Sequence, residues 1–357
     1  MKIFITGTAG FIGFSLAKFL LENNHNVHGY DGITNYYDIK LKQNRNKILK
    51  KYKKFSSTKG MLENKDLLKK TLNKFKPEII IHLAAQAGVR YSIEQPRSYL
   101  SSNIIGTFNI IELAHKIKVK HLLIASSSSV YGANKKIPYR ENDNVQSQLS
   151  IYASTKLATE SLAHSYSNIW KLPTTVLRFF TVYGPWGRPD MALFKFTKSI
   201  INGKKIDIYN NGNMYRDFTY IDDIVKSISL LMKAIPKNKK NFKTNKIDSL
   251  SPVAPFRVVN IGNSKKIKLL DFIKAIENSL GLKAIRNYMP MQKGDVAMTL
   301  ANIDLLKKLT SIKPKTNYKE GVRKFIEWYL RYHKKWLTIN LIEIFWFFWY
   351  ILAKSDT

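Results

Sequence analysis

The sequence predicts an α/β fold in which a doubly wound parallel sheet carries a smaller C-terminal lobe. Over the first two-thirds of the chain, short β-branched runs alternate with longer stretches of helical periodicity, which is typical of parallel strands joined by crossover helices. A glycine-rich turn follows the first of these runs directly. At 357 residues, the chain is long enough for one large domain with a second lobe.

The periodicity assigns the elements in order. Apolar, β-branched runs predict strands at Lys2–Thr6, Asn26–Tyr30, Phe55–Lys59, Ile79–Ala84, His121–Ser126 and Thr174–Phe179. Apolar residues at helical spacing predict helices at Phe11–Glu22, Asn103–Lys116 and Tyr152–Ile169. After Gly184 the pattern loosens into aromatic residues and Gly/Asn loops, which favours a substrate-binding lobe built from late segments.

The chain is strongly basic, with 59 Lys and Arg against 25 Asp and Glu, and a formal net charge of +34. Such an excess attracts polyanions, but the cations are spread along the chain, so we expect no nucleic-acid partner. There is no cysteine, which excludes disulfides and thiolate metal ligands, and no metal site is predicted. Met1–Gly13 lacks the segments of an export signal, which favours a cytoplasmic location.

The first motif is a G-x-x-G-x-x-G turn between the first strand and the first helix. Glycines at this spacing let the chain turn tightly and bring backbone amides close to a pyrophosphate. The second strand ends at Asp31, where a carboxylate can accept hydrogen bonds from a ribose. The motif predicts a Rossmann-type dinucleotide site, with NAD favoured over NADP by Asp31; a glycine turn without ligand is the alternative. The glycines of the turn are Gly7, Gly10 and Gly13.

The second motif combines a serine-rich strand end with a Tyr-x-x-x-Lys helix. Ser126 and Ser127 close a strand, while Tyr152 and Lys156 lie four residues apart and therefore share one helix face. An ammonium beside the phenol, together with the nicotinamide charge, lowers the pKa of a tyrosine from about 10. We therefore predict Tyr152 as the catalytic base, with Ser127 and Lys156 as catalytic partners. The alternative is a helix surface with this spacing by chance.

In this order the motifs resemble an extended short-chain dehydrogenase/reductase, and residues Met1–Lys334 are similar to the UDP-glucuronate 4-epimerases. The strings that carry the resemblance are NYYD from Asn35, HLAAQAGVR from His82, LRFFTVYGPWGRPDM from Leu177 and RDFTYIDD from Arg216. The resemblance implies that Tyr152 takes the proton of the sugar 4-hydroxyl while C4 gives hydride to NAD. A 4-keto sugar then rotates and takes the hydride back on its other face.

The resemblance also implies the binding residues. Those expected to contact NAD are the turn glycines together with Phe11, Ile12, Asp31, Asn35, Leu62, Leu83, Ala84, Ala85, Asn103, Ser126, Tyr152, Lys156 and Phe179. Those expected to face the substrate are Arg90, Ser128, Ser129, Thr181, Arg188 and Arg216. An arginine fork suits a carboxylate or phosphate, but an ion pair with Asp190 or Asp217 is the alternative use.

These expectations divide the chain into three parts. We predict an NAD-binding Rossmann domain over residues 1–180, a substrate-binding lobe over 181–333 and an apolar tail over 334–357. Segments 217–232 and 257–262 of the lobe are expected to return to the Rossmann core.

The chain departs from the family pattern at two places. The family has Gly-Asp before an aliphatic residue where this chain has Gly60-Met61-Leu62, so the adenine contact of that acid is expected to be lost. The run Trp336–Ala353 is an aromatic and aliphatic addition, interrupted by Asn340 and Glu343. A membrane span, an interfacial helix and packing on a partner chain are the alternatives for this tail.

The serines at the strand end discriminate between related reactions. A resembling 4,6-dehydratase carries an Asp-Glu pair at Ser128 and Ser129, and a UDP-glucuronate decarboxylase carries glutamate at Ser129; two serines cannot supply that acid/base chemistry. With Arg188 expected to meet a C6 carboxylate, the predicted reaction converts UDP-glucuronate to UDP-galacturonate. The alternatives are a UDP-glucose or UDP-N-acetylglucosamine 4-epimerase, or a non-catalytic NAD-binding protein held at a membrane by its tail. The resemblance implies a homodimer packed through Phe108–Lys116 and Tyr152–Ile169.

Overall fold

The computed structural model describes residues 1–237 and 247–333. Its strands are β1 Lys2–Thr6, β2 Asn26–Asp31, β3 Phe55–Lys59, β4 Ile79–His82, β5 His121–Ser127, β6 Thr174–Phe179, β7 Thr181–Tyr183, β8 Ile206–Ile208, β9 Tyr215–Tyr220, β10 Phe256–Ile261, β11 Lys266–Lys268 and β12 Arg286–Tyr288. Its helices are α1 Phe11–Glu22, α2 Ile39–Leu49, α3 Lys65–Phe75, α4 Tyr91–Glu94, α5 Pro96–Tyr99, α6 Gly106–Lys116, α7 Ile151–Trp170, α8 Ala192–Ile201, α9 Ile221–Leu231, α10 Leu269–Leu280 and α11 Asp304–Thr310, followed by α12 over residues 318–333.

A seven-stranded parallel sheet forms the centre of the fold, in the order β10-β6-β5-β4-β1-β2-β3. Strands such as β4 and β6 are buried along their whole length, because helices cover both faces of the sheet. The α/β prediction is confirmed. The chain order reverses between β1 and β4, and the crevice at the carboxyl ends of these strands is where open α/β sheets bind ligands.

Two predicted element boundaries, the end of β4 and the start of α6, differ from the structure by more than one residue. Strand β4 ends at His82, two residues before the predicted end, because the amides of Leu83 and Ala84 donate to the Thr6 hydroxyl at 3.1 and 3.0 Å. The helix predicted from Asn103 begins as a π-helical turn at Leu100–Ile105 and becomes α-helical at Gly106. Both changes lie beside the ligand crevice, which Leu83, Ala84 and Ser102 line.

The late segments form two small sheets, β11-β9-β7 and β12-β8, beside the carboxyl edge of the central sheet. Helix α9 packs against α1, and β10 pairs with β6 in the central sheet. Within the described ranges no helix is both long enough and apolar enough to cross a membrane. The run Trp336–Ala353 lies outside those ranges.

Candidate active site

The glycine turn requires glycine because neighbouring backbone atoms leave no room for a side chain. Gly7 has φ +82°, and a Cβ there would lie 2.8 Å from the Ala84 amide nitrogen. A Cβ on Gly13 would lie 2.0 Å from the Gly7 carbonyl oxygen. The Gly7 amide donates to the Tyr30 carbonyl at 2.8 Å, which joins the turn to β2. Because these positions carry no side chain, the backbone of the turn itself lines the crevice.

The N-terminus of α1 fits a diphosphate. Gly10 at the N-cap makes no side-chain capping bond, and the first turn carries no acidic residue. The first amides of a helix have no partners within the helix and carry the positive end of its dipole. This cradle would hold the pyrophosphate of NAD.

The Asp31 carboxylate is fixed at the end of β2. Its two oxygens accept the Ala9 amide at 2.8 Å and the Ile33 amide at 2.7 Å. The carboxylate lines the ligand crevice, where its charge would oppose a 2′-phosphate. This geometry supports NAD as the cofactor.

Met61 follows β3 and also lines the crevice, with 42% of its surface exposed. A thioether cannot replace a carboxylate as acceptor for the adenine amino group. We expect Met61→Asp to tighten NAD binding about fivefold, since a net hydrogen bond contributes about 1 kcal/mol. Titration calorimetry of NAD into cofactor-free protein measures this, with Met61→Ala as the control that adds no acceptor. Equal affinities for the two variants would remove the adenine contact from the account.

The three predicted catalytic side chains meet where β5 ends against α7. The Ser127 hydroxyl accepts the Ser129 amide at 3.1 Å and so caps the 3-10 turn Ser128–Tyr131. Ser150 caps α7 by accepting the Ala153 amide at 3.1 Å, which starts the helix just before Tyr152. The Lys156 ammonium is buried and donates to the Ala125 carbonyl at 2.9 Å. The two caps thus orient the serine and the tyrosine towards one crevice.

Burial sets the ionisation of this group in the cofactor-free chain. It raises the pKa of Tyr152, while the Ser127 hydroxyl and the Arg188 charge act in the opposite direction. It also lowers the pKa of Lys156 to about 8, against the opposing effect of the Glu160 carboxylate. Tyr152 is therefore protonated at neutral pH before NAD binds. The lower pKa expected with NAD bound stays a prediction.

Arg188 lines the same cleft and is held there by an ion pair. Its Nε and Nη2 donate to the two oxygens of Asp190 at 3.0 and 2.5 Å, and the Tyr36 hydroxyl donates to the same carboxylate at 3.1 Å. Although burial acts in the opposite direction, Arg188 keeps the pKa of Asp190 below its usual value. The guanidinium is thus fixed in orientation at the cleft.

The other two substrate-side arginines have weaker anchors. Arg90 lies 3.4 Å from Asp295, and Arg216 donates to the Tyr215 and Ala297 carbonyls at 2.9 and 3.2 Å. Asp217, the alternative partner of Arg216, instead accepts backbone amides, including that of Asn263 at 2.7 Å. Both arginines therefore offer charge to the crevice.

Comparison with known proteins places this geometry in a family. The model of the NAD dependent epimerase/dehydratase family matches residues 3–245. The chain belongs to this family.

Relatives of this epimerase/dehydratase chain span nearly its whole described length. Protein CapI of Staphylococcus aureus is 53% identical over 335 residues, which cover 94% of this chain and 100% of CapI. A protein of Rhizobium meliloti (strain 1021) named "Probable UDP-glucuronate 4-epimerase" is 51% identical, with 92% and 97% of the two chains covered. The UDP-glucuronic acid 4-epimerase of Bacillus cereus, solved with UDP-glucuronic acid and NAD, has a TM-score of 0.82 at 32% identity, covering 92% of this chain and 98% of that one.

Most of the predicted site residues of this family member line one cleft of about 1130 Å³. This volume exceeds that of a usual single-ligand pocket and suits two nucleotide ligands side by side. The predicted residues that line it are Gly7, Gly10, Phe11, Ile12, Gly13, Asp31, Leu62, Leu83, Ala84, Ala85, Arg90, Ser126, Ser127, Ser128, Ser129, Tyr152, Lys156, Phe179, Thr181, Arg188 and Arg216.

Two predicted cofactor residues do not line the cleft. Asn35 is exposed on the loop after β2. Asn103 is buried in the π-helical turn, where its amide binds the Gln86 backbone at 2.8 and 3.0 Å and donates to the Thr155 hydroxyl at 3.0 Å. Asn103 therefore fastens the Gln86 loop to α7 instead of facing the cleft.

Sequence reasoning missed a support behind the catalytic residues. Glu160 accepts the Ser126 hydroxyl at 2.5 Å and forms a buried two-point ion pair with Arg178 at 3.0 and 2.7 Å. Helical periodicity was the available signal, because Tyr152, Lys156 and Glu160 recur every four residues on one face of α7. Glu160 therefore holds the ends of both β5 and β6 against α7, through Ser126 and Arg178.

Proposed function

We propose that this chain is an NAD-dependent UDP-glucuronate 4-epimerase that interconverts UDP-glucuronate and UDP-galacturonate. One observation carries the proposal: the Ser127, Tyr152 and Lys156 group shares its cleft with an oriented guanidinium, that of Arg188. When bound, NAD accepts the hydride released by C4 of the sugar and returns it.

The side chains of this cleft supply the remaining chemistry. The Tyr152 phenol oxygen takes the proton of the 4-hydroxyl as C4 is oxidised and gives it back on reduction. The Ser127 hydroxyl hydrogen-bonds the same sugar oxygen. The Lys156 ammonium adds positive charge near the phenol and favours its ionised form. Inversion at C4 follows when the 4-keto sugar turns its other face before reduction.

The uronate carboxylate would be bound by Arg188, with Ser128, Ser129 and Thr181 as hydrogen-bond partners. Asp190 occupies Nε and Nη2 of the guanidinium, so the carboxylate would use the remaining donors. A charge-assisted bond of this kind is stronger than one to a neutral hydroxyl.

The Arg188–Asp190 ion pair also favours a second candidate, a neutral-sugar 4-epimerase. A guanidinium already paired with a carboxylate offers less net charge to an anionic sugar. UDP-glucose is the substrate that this alternative requires.

Isotope transfer tests the reaction class. With UDP-[4-²H]glucuronate in ordinary water we expect UDP-galacturonate that retains deuterium at C4, because the same hydride returns to the sugar. With unlabelled substrate in deuterated water, C5 should remain unlabelled, which separates epimerisation from dehydration. Loss of the C4 label, uptake of solvent deuterium at C5, or a pentose product would contradict the proposal.

The proposed assembly is a homodimer through the outer faces of α6 and α7. Apolar side chains there are exposed in the single chain, among them Ile105 at 53%, Ile169 at 62% and Trp170 at 45%. An apolar patch of this kind marks a contact surface. Sedimentation of the purified protein should give a dimer, and Ile105→Glu should give monomers by placing a charge in the contact. A wild-type protein that sediments as a monomer would refute this assembly.

The tail completes the proposal, since exposing the aromatic run Trp336–Ala353 to water is costly. We expect part of the full chain to sediment with membranes, and a chain lacking Trp336–Thr357 to stay in the supernatant with full epimerase activity. If the truncated chain instead fails to fold, the tail belongs to the core or to a subunit interface.

A further inference from the structure

Arg45 on α2 is a fully buried cation. Its hydrogen bonds within the described residues go to uncharged acceptors. Nη1 donates to the Ala9 carbonyl and to the Tyr37 hydroxyl, both at 2.8 Å. Nη2 donates to the Trp186 carbonyl at 2.6 Å and to the Gly187 carbonyl at 3.2 Å. Its exposure is 0%. A buried charge is costly unless it is paired and hydrogen-bonded. Here four neutral acceptors bind the two terminal nitrogens, and Nε is buried without a hydrogen-bond partner among the described residues, so burying this guanidinium costs stability and calls for a functional reason.

The acceptors belong to segments that are far apart in the chain, and each segment adjoins residues that line the cleft. Ala9 lies within the glycine turn Gly7–Gly13, and its carbonyl accepts a hydrogen bond from Arg45. Trp186 and Gly187 lie 141 and 142 positions further along the chain from Arg45, and they directly precede Arg188. One guanidinium therefore connects the glycine turn to the loop that carries Arg188, the proposed uronate-binding arginine.

The loop needs this support because its backbone is strained. Trp186 has φ +63°, a left-handed conformation that is unfavourable for a residue with a Cβ. Its indole packs on Phe14 of α1 and on Trp328 of α12, with ring centres 5.3 Å apart in each pair. Packing fixes the side chain, whereas the carbonyls of Trp186 and Gly187 are fixed by Arg45.

The neighbouring residues Tyr36 and Tyr37 connect Arg45 to the part of the loop that follows Arg188. Tyr37 accepts from Arg45, and its neighbour Tyr36 donates to Asp190, which holds Arg188. The loop is thus held on both sides of Arg188: Arg45 binds the carbonyls of Trp186 and Gly187 before it, and Tyr36 binds Asp190 after it.

We propose that Arg45 is a positioning residue that sets Arg188 relative to the glycine turn, so that selection of a uronate sugar depends on a side chain outside the cleft wall. The inference rests on the proposed function. A planar fork with several fixed donors can bind carbonyls in two directions at once, whereas a lysine ammonium acts as a point charge. Replacing Arg45 by lysine keeps the charge and removes the span.

The experiment measures binding, so that turnover does not enter. In the Tyr152→Phe background with NAD bound, the dissociation constants of UDP, UDP-glucose and UDP-glucuronate are compared with and without Arg45→Lys. We expect the preference for UDP-glucuronate over UDP-glucose to fall about tenfold, which is the loss of one charge-assisted bond at Arg188, while UDP affinity changes by less than about twofold. Arg257→Lys is the matched control, because Arg257 is a buried arginine that pairs with Asp248 and does not line the cleft, and it should leave the preference unchanged.

Two results overturn the inference. Arg45→Lys protein that retains the parent preference would show that the loop is positioned without the fork, and an equal loss for all three ligands would show a merely structural role. If Arg45→Lys does not fold, Tyr37→Phe, which removes one acceptor, decides the question: a fall of about threefold supports the inference and no change refutes it. A parent with no uronate preference would instead contradict the proposed function.

Discussion

Tyr152→Phe is expected to lower epimerase turnover by about 10²–10⁴-fold, the usual contribution of a positioned acid/base group. The substitution removes only the phenol oxygen, which in the proposed mechanism takes and returns the proton of the sugar 4-hydroxyl. The ring stays in contact with Tyr99, whose centre lies 6.1 Å away, so the melting temperature and NAD content should remain close to those of the parent. Coupled assay of UDP-galacturonate formation measures the loss.

The matched control is Tyr166→Phe, which removes one hydroxyl from the same helix. Tyr166 packs on Phe108 and Trp170 at the outer face of α7, away from the cleft and at the proposed dimer contact. Phenylalanine keeps this ring packing, so the substitution should leave turnover unchanged. Tyr152→Phe protein that keeps a tenth or more of the parent rate would remove Tyr152 as the base.

Arg188→Ala is expected to lower the ratio of kcat/KM for UDP-glucuronate to that for UDP-glucose by about ten- to a hundredfold, because a charge-assisted contact contributes about 1.5–3 kcal/mol. Two effects act in the same direction. The uronate carboxylate loses its cation, and the Asp190 carboxylate, which Arg188 holds at 2.5 Å, is left to repel it. Some 4-keto pentose should also be released, because the carboxylate of the β-keto acid is no longer held away from the geometry for decarboxylation.

Arg188→Lys separates charge from geometry in this test. A lysine keeps the positive charge but not the two-point contact with Asp190, so the preference should fall less than with alanine. If Arg188→Ala leaves the substrate ratio untouched, Arg188 serves only its ion pair with Asp190, and the neutral-sugar candidate gains.

The parts of the site that could be predicted from the sequence are formed by residues that lie close together in the chain. The glycine turn lies directly between β1 and α1, and Tyr152 and Lys156 share one helical turn, so spacing alone indicates their positions. Asn103 does not line the cleft, because the direction of its side chain depends on the π-helical turn Leu100–Ile105, which no local periodicity indicates; its role as a cofactor residue stays a prediction. Arg45 was not found because its acceptors, Ala9 and Trp186, are far from it in sequence.

The pairing of Arg188 is an intermediate case. An ion pair with Asp190, two positions away, was one of two uses left open by the sequence, and the structure contains that pair. Local spacing can bring two charges together, but it cannot show which donors remain for a ligand. That depends on Tyr36, a residue 154 positions from Asp190 that donates to the same carboxylate.

The most direct test of the central claim is the substrate ratio of the wild-type enzyme. Purified protein with NAD is incubated separately with UDP-glucuronate and with UDP-glucose, and the 4-epimers are resolved by chromatography. We predict a kcat/KM for UDP-glucuronate that is at least about tenfold above the kcat/KM for UDP-glucose, consistent with one charge-assisted contact at the C6 carboxylate. Turnover of UDP-glucose equal to or faster than that of UDP-glucuronate would contradict the uronate assignment.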